Sequence, residues 1–198
     1  KFFESAKIHA AGLIVSEYSE NYSHHSAKQS LAAWLKKNKV PAITGVDTRA
    51  ITKILRERGV MLGQISATGK KGKFVDPNKD NLVAKVSPAK KTVHGKGDTT
   101  IVLVDCGAKE NIARSLLREN VRLIRVPWNY DFTQEEYDGV VISNGPGDPS
   151  VCGEAVENIR KAFAIDKPML GICLGTQLMA LAAGASTYKL KYGHRSQN

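Results

Sequence analysis

The chain is 198 residues long and 42% hydrophobic, the make-up of one large or two small globular domains and not of a disordered segment. Its net charge of +10 lies in residues 1–98, which hold 18 Lys and Arg against 8 Asp and Glu, whereas residues 99–198 hold 11 of each, so two units of different character are expected with a boundary between Gly95 and Thr99. No window approaches the roughly 18 apolar residues of a membrane span, the densest basic run (Gly69-Lys70-Lys71-Gly72-Lys73) lacks aromatics for stacking on bases, and Cys106, Cys152 and Cys173 make neither a Cys-x-x-Cys pair nor an even set, which argues against membrane, nucleic acid, a disulfide framework and zinc.

In chain order, Ala11–Val15 is a short apolar strand candidate and Ser30–Lys37 has the spacing of an amphipathic helix with Leu31, Trp34 and Leu35 on one side. Asp47 caps a second helix whose apolar stripe is Ile51, Ile54 and Leu55 and which Gly59 stops. Val60–Ala67 and Asn81–Val86 read as strands within a stretch otherwise rich in Lys, Gly, Pro and Asn. Gly63–Lys71 is not a phosphate-binding loop: it has one residue too many and no Ser or Thr after the lysine. No motif calls for a cofactor.

From Thr99 onward, strand and helix alternate. Thr100–Asp105, Val121–Val126, Tyr137–Ser143 and Pro168–Ile172 are strands; Lys109–Glu119, Glu154–Ala164 and Leu174–Ala183 are helices. Short apolar strands separated by single helices predict an α/β fold with a parallel sheet covered on both faces. Ligands of such sheets bind beyond the carboxyl ends of the strands, which directs attention to the loops after Asp105, Ser143 and Ile172.

Two of those loops carry chemistry. In Gly171-Ile172-Cys173-Leu174-Gly175, small residues two positions either side of Cys173 suit a nucleophile on a tight strand-to-helix turn. The cysteine then lies at a helix N-terminus, where unpaired N–H groups favour an anion, and the Leu174 N–H is left free to stabilise an oxyanion. A buried cysteine with packing glycines is the competing reading. The loop Ser143-Asn144-Gly145-Pro146-Gly147-Asp148-Pro149 lies at the same sheet edge, and its glycines let the backbone approach a ligand, although it also fits an ordinary turn.

The segments SNGPGDP (143–149), GICLGTQLMALAAGASTYK (171–189), YGHRSQN (192–198) and VDCGAKENI (104–112), with PAITGVDTRAITKILRERGVMLGQI (41–65), resemble the glutaminase part of carbamoyl-phosphate synthetase, a class I (triad) glutamine amidotransferase. The resemblance implies two parts: residues 1–98 as an incomplete small-subunit N-terminal-type domain, and residues 99–198 as the first half of the amidotransferase domain. It also implies glutamine hydrolysis to glutamate and ammonia, with Cys173 as the acyl-forming nucleophile and Gly145, Gly147, Leu174 and Gln177 contacting glutamine or its tetrahedral intermediate. The implied partners are glutamine and the synthetase (large) subunit or domain, which receives the ammonia. The implied compartment is cytoplasmic, with the mitochondrial matrix as the alternative.

Three departures accompany the resemblance. The family's base is a histidine oriented by a glutamate well beyond the cysteine, and none of the five histidines matches it; His194 matches a turn residue. A family segment that contacts glutamine is expected before Lys1, and Ser196 stands where the family has glycine. The piece alone is thus expected to be weakly active or inactive, and the alternative role is a docking or regulatory fragment of the synthetase. A flavodoxin-like nucleotide binder fits less well, since Cys106-Gly107-Ala108-Lys109 lacks a glycine-rich phosphate loop.

Overall fold

The structure, a computed structural model, describes residues 3–5, 7–66, 68–70 and 72–193. The chain divides into two compact units, one of Ser5–Val75 with Lys189–Asn198 and the other of Lys1–Glu4 with Asp76–Tyr188. His194 and Ser196 lie outside the described residues.

In the first unit β1 (Leu13–Ile14) pairs in parallel with β2 (Ala42–Ile43), beside α1 (Leu31–Lys37) and α2 (Thr48–Arg58). Each helix begins at a side chain that accepts an otherwise orphaned N–H: Ser30 Oγ takes the Ala33 N–H at 3.2 Å, and Asp47 Oδ1 takes that of Ala50 at 2.8 Å. Gly59, at φ +86°, ends α2 with its N–H on the Leu55 carbonyl at 2.8 Å. The stripe of Ile51, Ile54 and Leu55 is exposed, and no residue of α2 is buried. Helical spacing shows that three side chains share a face, and burial needs something packed on that face. Residues 60–66 form no strand, and Ala67 is outside the described residues. A strand needs a neighbour for its backbone groups, and β1 and β2 pair only with each other among the described residues.

The second unit holds α3 (Leu82–Val86), β3 (Thr92–His94), β4 (Thr100–Asp105), α4 (Glu110–Arg118), β5 (Arg122–Pro127), β6 (Gly139–Ile142), α5 (Gly153–Phe163), β7 (Met169–Gly171) and α6 (Leu174–Ala182). The sheet order is β3-β5-β4-β6-β7, parallel throughout except for the antiparallel edge strand β3. Alternate residues of each strand serve opposite faces. Val102, Val104, Ile124, Val126, Val140 and Ile142 pack with α5 and α6, while Leu103, Leu123 and Val141 pack with α4. This is the α/β sheet covered on both faces that the alternation of elements predicts.

One element in this unit differs from the expected strand over 81–86. Leu82, Val83 and Val86 follow helical spacing, and Asn81 Oδ1 accepts the Ala84 N–H at 2.9 Å, so the segment is the helix α3. The strand β3 was not expected, and it brings residues 92–94 into the sheet. Among the described residues no helix is long and apolar enough to cross a membrane.

Because β4, β6 and β7 are adjacent and parallel, the loops leaving Asp105, Ile142 and Gly171 emerge at one edge of the sheet. That is where the chemistry-bearing motifs meet.

Candidate active site

The turn from β7 into α6 is built around Cys173. Its backbone has φ +54° and ψ −106°, a conformation L-residues rarely adopt and one that costs about 1–3 kcal/mol. Strain of this kind persists only where neighbours hold it. Ile172 N–H donates to the Ile142 carbonyl at 2.9 Å, Gly175 N–H to Ile172 at 3.0 Å and Thr176 N–H to Cys173 at 3.0 Å. The Thr176 hydroxyl donates back across the turn to the Gly171 carbonyl at 2.8 Å. Both glycines are sterically required. A Cβ on Gly175 would lie 2.2 Å from the Ile142 carbonyl oxygen, and one on Gly171 would lie 2.6 Å from the Thr176 nitrogen. The turn therefore packs directly onto β6 and presents an exposed cysteine at the first turn of α6. The Leu174 N–H donates to no protein partner among the described residues, so a hydrogen-bond donor stands free beside the sulfur.

The loop after β6 is fastened to the loop after β4. Ser143, fully buried, accepts the Cys106 N–H on its Oγ at 2.9 Å and donates to the Asn144 carbonyl at 2.8 Å. Asn144 accepts the Lys109 N–H at 3.1 Å and donates to the Gly107 carbonyl at 3.3 Å. Gly145 then passes between two neighbours: a Cβ there would lie 2.3 Å from the Cys106 carbonyl oxygen and 2.6 Å from Leu174 Cδ2. Gly147 holds φ +87°. Thus the three loops expected to converge do so, with Gly145 touching the residue that follows Cys173.

The loop after β4 has its own anchor. The buried Asp105 carboxylate accepts the N–H groups of Gly107 and Ala108 at 2.8 and 2.7 Å on one oxygen and Arg125 Nε at 2.5 Å on the other. Arg125 also donates to Glu110 at 2.9 Å, and Ser87 donates to the Asp105 carbonyl at 2.6 Å. Burying a carboxylate is tolerated when its lone pairs are filled in this way.

Gln177 is exposed one turn after Cys173, its N–H on the Cys173 carbonyl at 3.3 Å and its carboxamide without a partner among the described residues. Cys106 and Cys152 are buried in the core cluster beneath the site. Of the described histidines only His94 belongs to this unit, and it lies on β3, at the sheet edge opposite β7, bonded to Thr92 Oγ1. No group of His, Cys, Asp and Glu side chains suited to a metal occurs among the described residues. Sequence reasoning did not single out Ser143, Asn144 or Asp105 as site residues, although two polar residues directly before a glycine loop were a usable signal.

Two family models match the chain, one in each half. Residues 102–198 match the family model of glutamine amidotransferase class-I, and residues 1–65 match that of the carbamoyl-phosphate synthase small chain, CPSase domain. The mitochondrial carbamoyl-phosphate synthase (ammonia) of Homo sapiens is 48% identical over 201 residues, covering 100% of this chain and 13% of that protein. Multifunctional protein CAD of Squalus acanthias is 47% identical over 204 residues, covering 100% and 9%. The arginine-specific small chain of carbamoyl phosphate synthase from Saccharomyces cerevisiae is 45% identical over 210 residues, covering 100% and 51%. The chain thus spans about half of the yeast small chain and a much smaller share of the two longer relatives. It belongs to the carbamoyl-phosphate synthase small-chain family, with a class-I glutamine amidotransferase domain as its second part.

Proposed function

We propose that this chain is the glutamine-hydrolysing part of a carbamoyl-phosphate synthetase, with glutamine as substrate and the synthetase subunit or domain as partner. The observation that carries the reading is Cys173: an exposed thiol held at φ +54° on a strand-to-helix turn, with the unpartnered Leu174 N–H beside it. In the proposed reaction the Cys173 sulfur bonds to the side-chain carboxamide carbon of glutamine, and the carbonyl π electrons move onto oxygen. Leu174 N–H and the backbone of the Gly145–Gly147 loop stabilise that oxyanion. As the C–N bond breaks, the nitrogen takes a proton and departs as ammonia, leaving a thioester. Water then displaces sulfur to give glutamate and the free thiol. The exposed Gln177, one turn after Cys173, is the proposed contact to the bound glutamine. The proton transfers require a base that the described residues of this unit do not supply.

The human relative is named for ammonia, so the decisive experiment compares the two nitrogen donors. In the full-length protein, Cys173→Ser is expected to lower glutamine-dependent carbamoyl phosphate formation by at least about 1,000-fold, the scale on which loss of a nucleophile acts. Ammonia-dependent formation is expected to stay within about twofold. Glutamine hydrolysis that survives the substitution overturns the assignment. For location, the chain's relatives include a mitochondrial protein, and we place this one in the cytoplasm or the mitochondrial matrix on that footing.

A further inference from the structure

We infer that Asn144 is a positioning residue for amide hydrolysis: it sets the backbone of the Gly145–Gly147 loop against the Cys173 turn. This inference rests on the glutaminase reading above. Both ends of the Asn144 carboxamide are used on the neighbouring loop, the oxygen on Lys109 N–H at 3.1 Å and the nitrogen on the Gly107 carbonyl at 3.3 Å. That loop is itself rigid, since Asp105 holds the N–H groups of Gly107 and Ala108, and Ser143 Oγ holds that of Cys106. The residue immediately before Gly145 is therefore tied to a fixed frame on one side. On the other side, Gly145 has no room for a Cβ against Leu174 Cδ2.

Pro146 has no N–H, so the donors that the turn of the loop can offer come from Gly145 and Gly147. Their direction depends on the peptide planes that Asn144 precedes. Donors aimed at a developing oxyanion act because they are placed before the charge appears, and a misplacement of about 1 Å costs on the order of 100-fold. Ground-state glutamine carries no such charge. Loss of Asn144 is thus felt in kcat more than in KM.

The test uses the full-length protein carrying Asn144→Ala. The expected result is a glutaminase kcat lower by about ten- to a hundredfold, a KM changed by less than about threefold, and an unchanged rate of Cys173 alkylation by iodoacetamide, which needs no oxyanion loop. Asn144→Asp keeps the acceptor for Lys109 N–H and is expected to lose less. If the alanine protein does not fold, Asn144→Asp decides on the same measurements. A wild-type kcat overturns the inference, and so does a parallel fall of kcat and alkylation, because that marks general disruption of the fold. Hydrolysis that persists in Cys173→Ser overturns the glutaminase reading and this inference with it, whereas Cys173-dependent hydrolysis indifferent to Asn144 overturns the inference alone.

Discussion

Three cysteines in one domain divide by environment into one exposed thiol and two buried ones. Cys106 and Cys152 are fully buried, and burial pushes the Cys152 thiol up to about 11, the nearby Asp148 carboxylate adding to the effect. The Cys106 thiol is raised further by burial and then by Cys152 and Asp105. Only the thiolate reacts, and it must also be reached. A small disulfide reagent at pH 8 is therefore expected to label one thiol in the native protein, Cys173, and all three in denaturant. Labelling of two or three native thiols would contradict the burial. The sign of the linked stability follows from the same shifts: above the ordinary thiol value of 9.0 the unfolded chain releases protons that the folded chain keeps. Folding stability is thus expected to fall as pH rises from about 9 through about 11, and Cys152→Ala should flatten that slope. The turn that exposes Cys173 was legible in the sequence because it is specified locally by Gly171 and Gly175. The two hydrogen bonds of Asn144 were not, because they reach Gly107 and Lys109, more than thirty residues away in sequence and adjacent only across the parallel pair β4 and β6.

At the scale of elements, the parts read correctly are those in which a local signal and a tertiary environment agree. The central strands β4 and β6 are apolar runs covered on both faces, so pattern and burial coincide, whereas the edge strand β7 leaves Leu170 exposed. The segment 81–86 misleads because six residues fit either period, and the cap at Asn81 decides it. Helix α2 shows the opposite balance: its limits were legible from Asp47 and Gly59, while its burial was not, since Ile51, Ile54 and Leu55 stay exposed among the described residues. With no buried face, α2 depends on its ends to an unusual degree. Asp47→Ala removes the acceptor for the Ala50 N–H, a change worth about 1 kcal/mol. Amide hydrogen exchange across residues 51–58 is expected to quicken by roughly fivefold, the factor equivalent to that energy at room temperature. Exchange in α4 should be unaffected. An unchanged rate in α2 would mean that other contacts, not the cap, set its stability.

For the whole molecule the open question is where one domain ends and the next begins. The change in charge falls at residues 98–99, and the family models leave residues 66–101 to neither part. Packing supplies a physical criterion. The strand β3 is hydrogen-bonded along β5, and the glycines after it are pressed onto the end of the helix-to-strand turn: a Cβ on Gly95 would lie 2.2 Å from the Val121 carbonyl oxygen, and one on Gly97 would lie 1.5 Å from that of Asn120. The backbone around Lys96 is therefore held in place, whereas Lys70 and Lys73 are exposed in a stretch without regular structure among its described residues. A protease must bind a locally extended stretch of chain, and exposed segments of this kind are cut first. We propose that the sheet-bearing domain begins near Asp76, so that brief trypsin treatment of the native chain cuts first at Lys70 or Lys73. The product should be a folded fragment that retains β3 and the Cys173 turn, identified by intact mass and by single-thiol labelling in its native state. A first stable fragment beginning at Gly97 would instead place the boundary at the change in charge, and β3 would then be an ornament of the sheet and not a part of it.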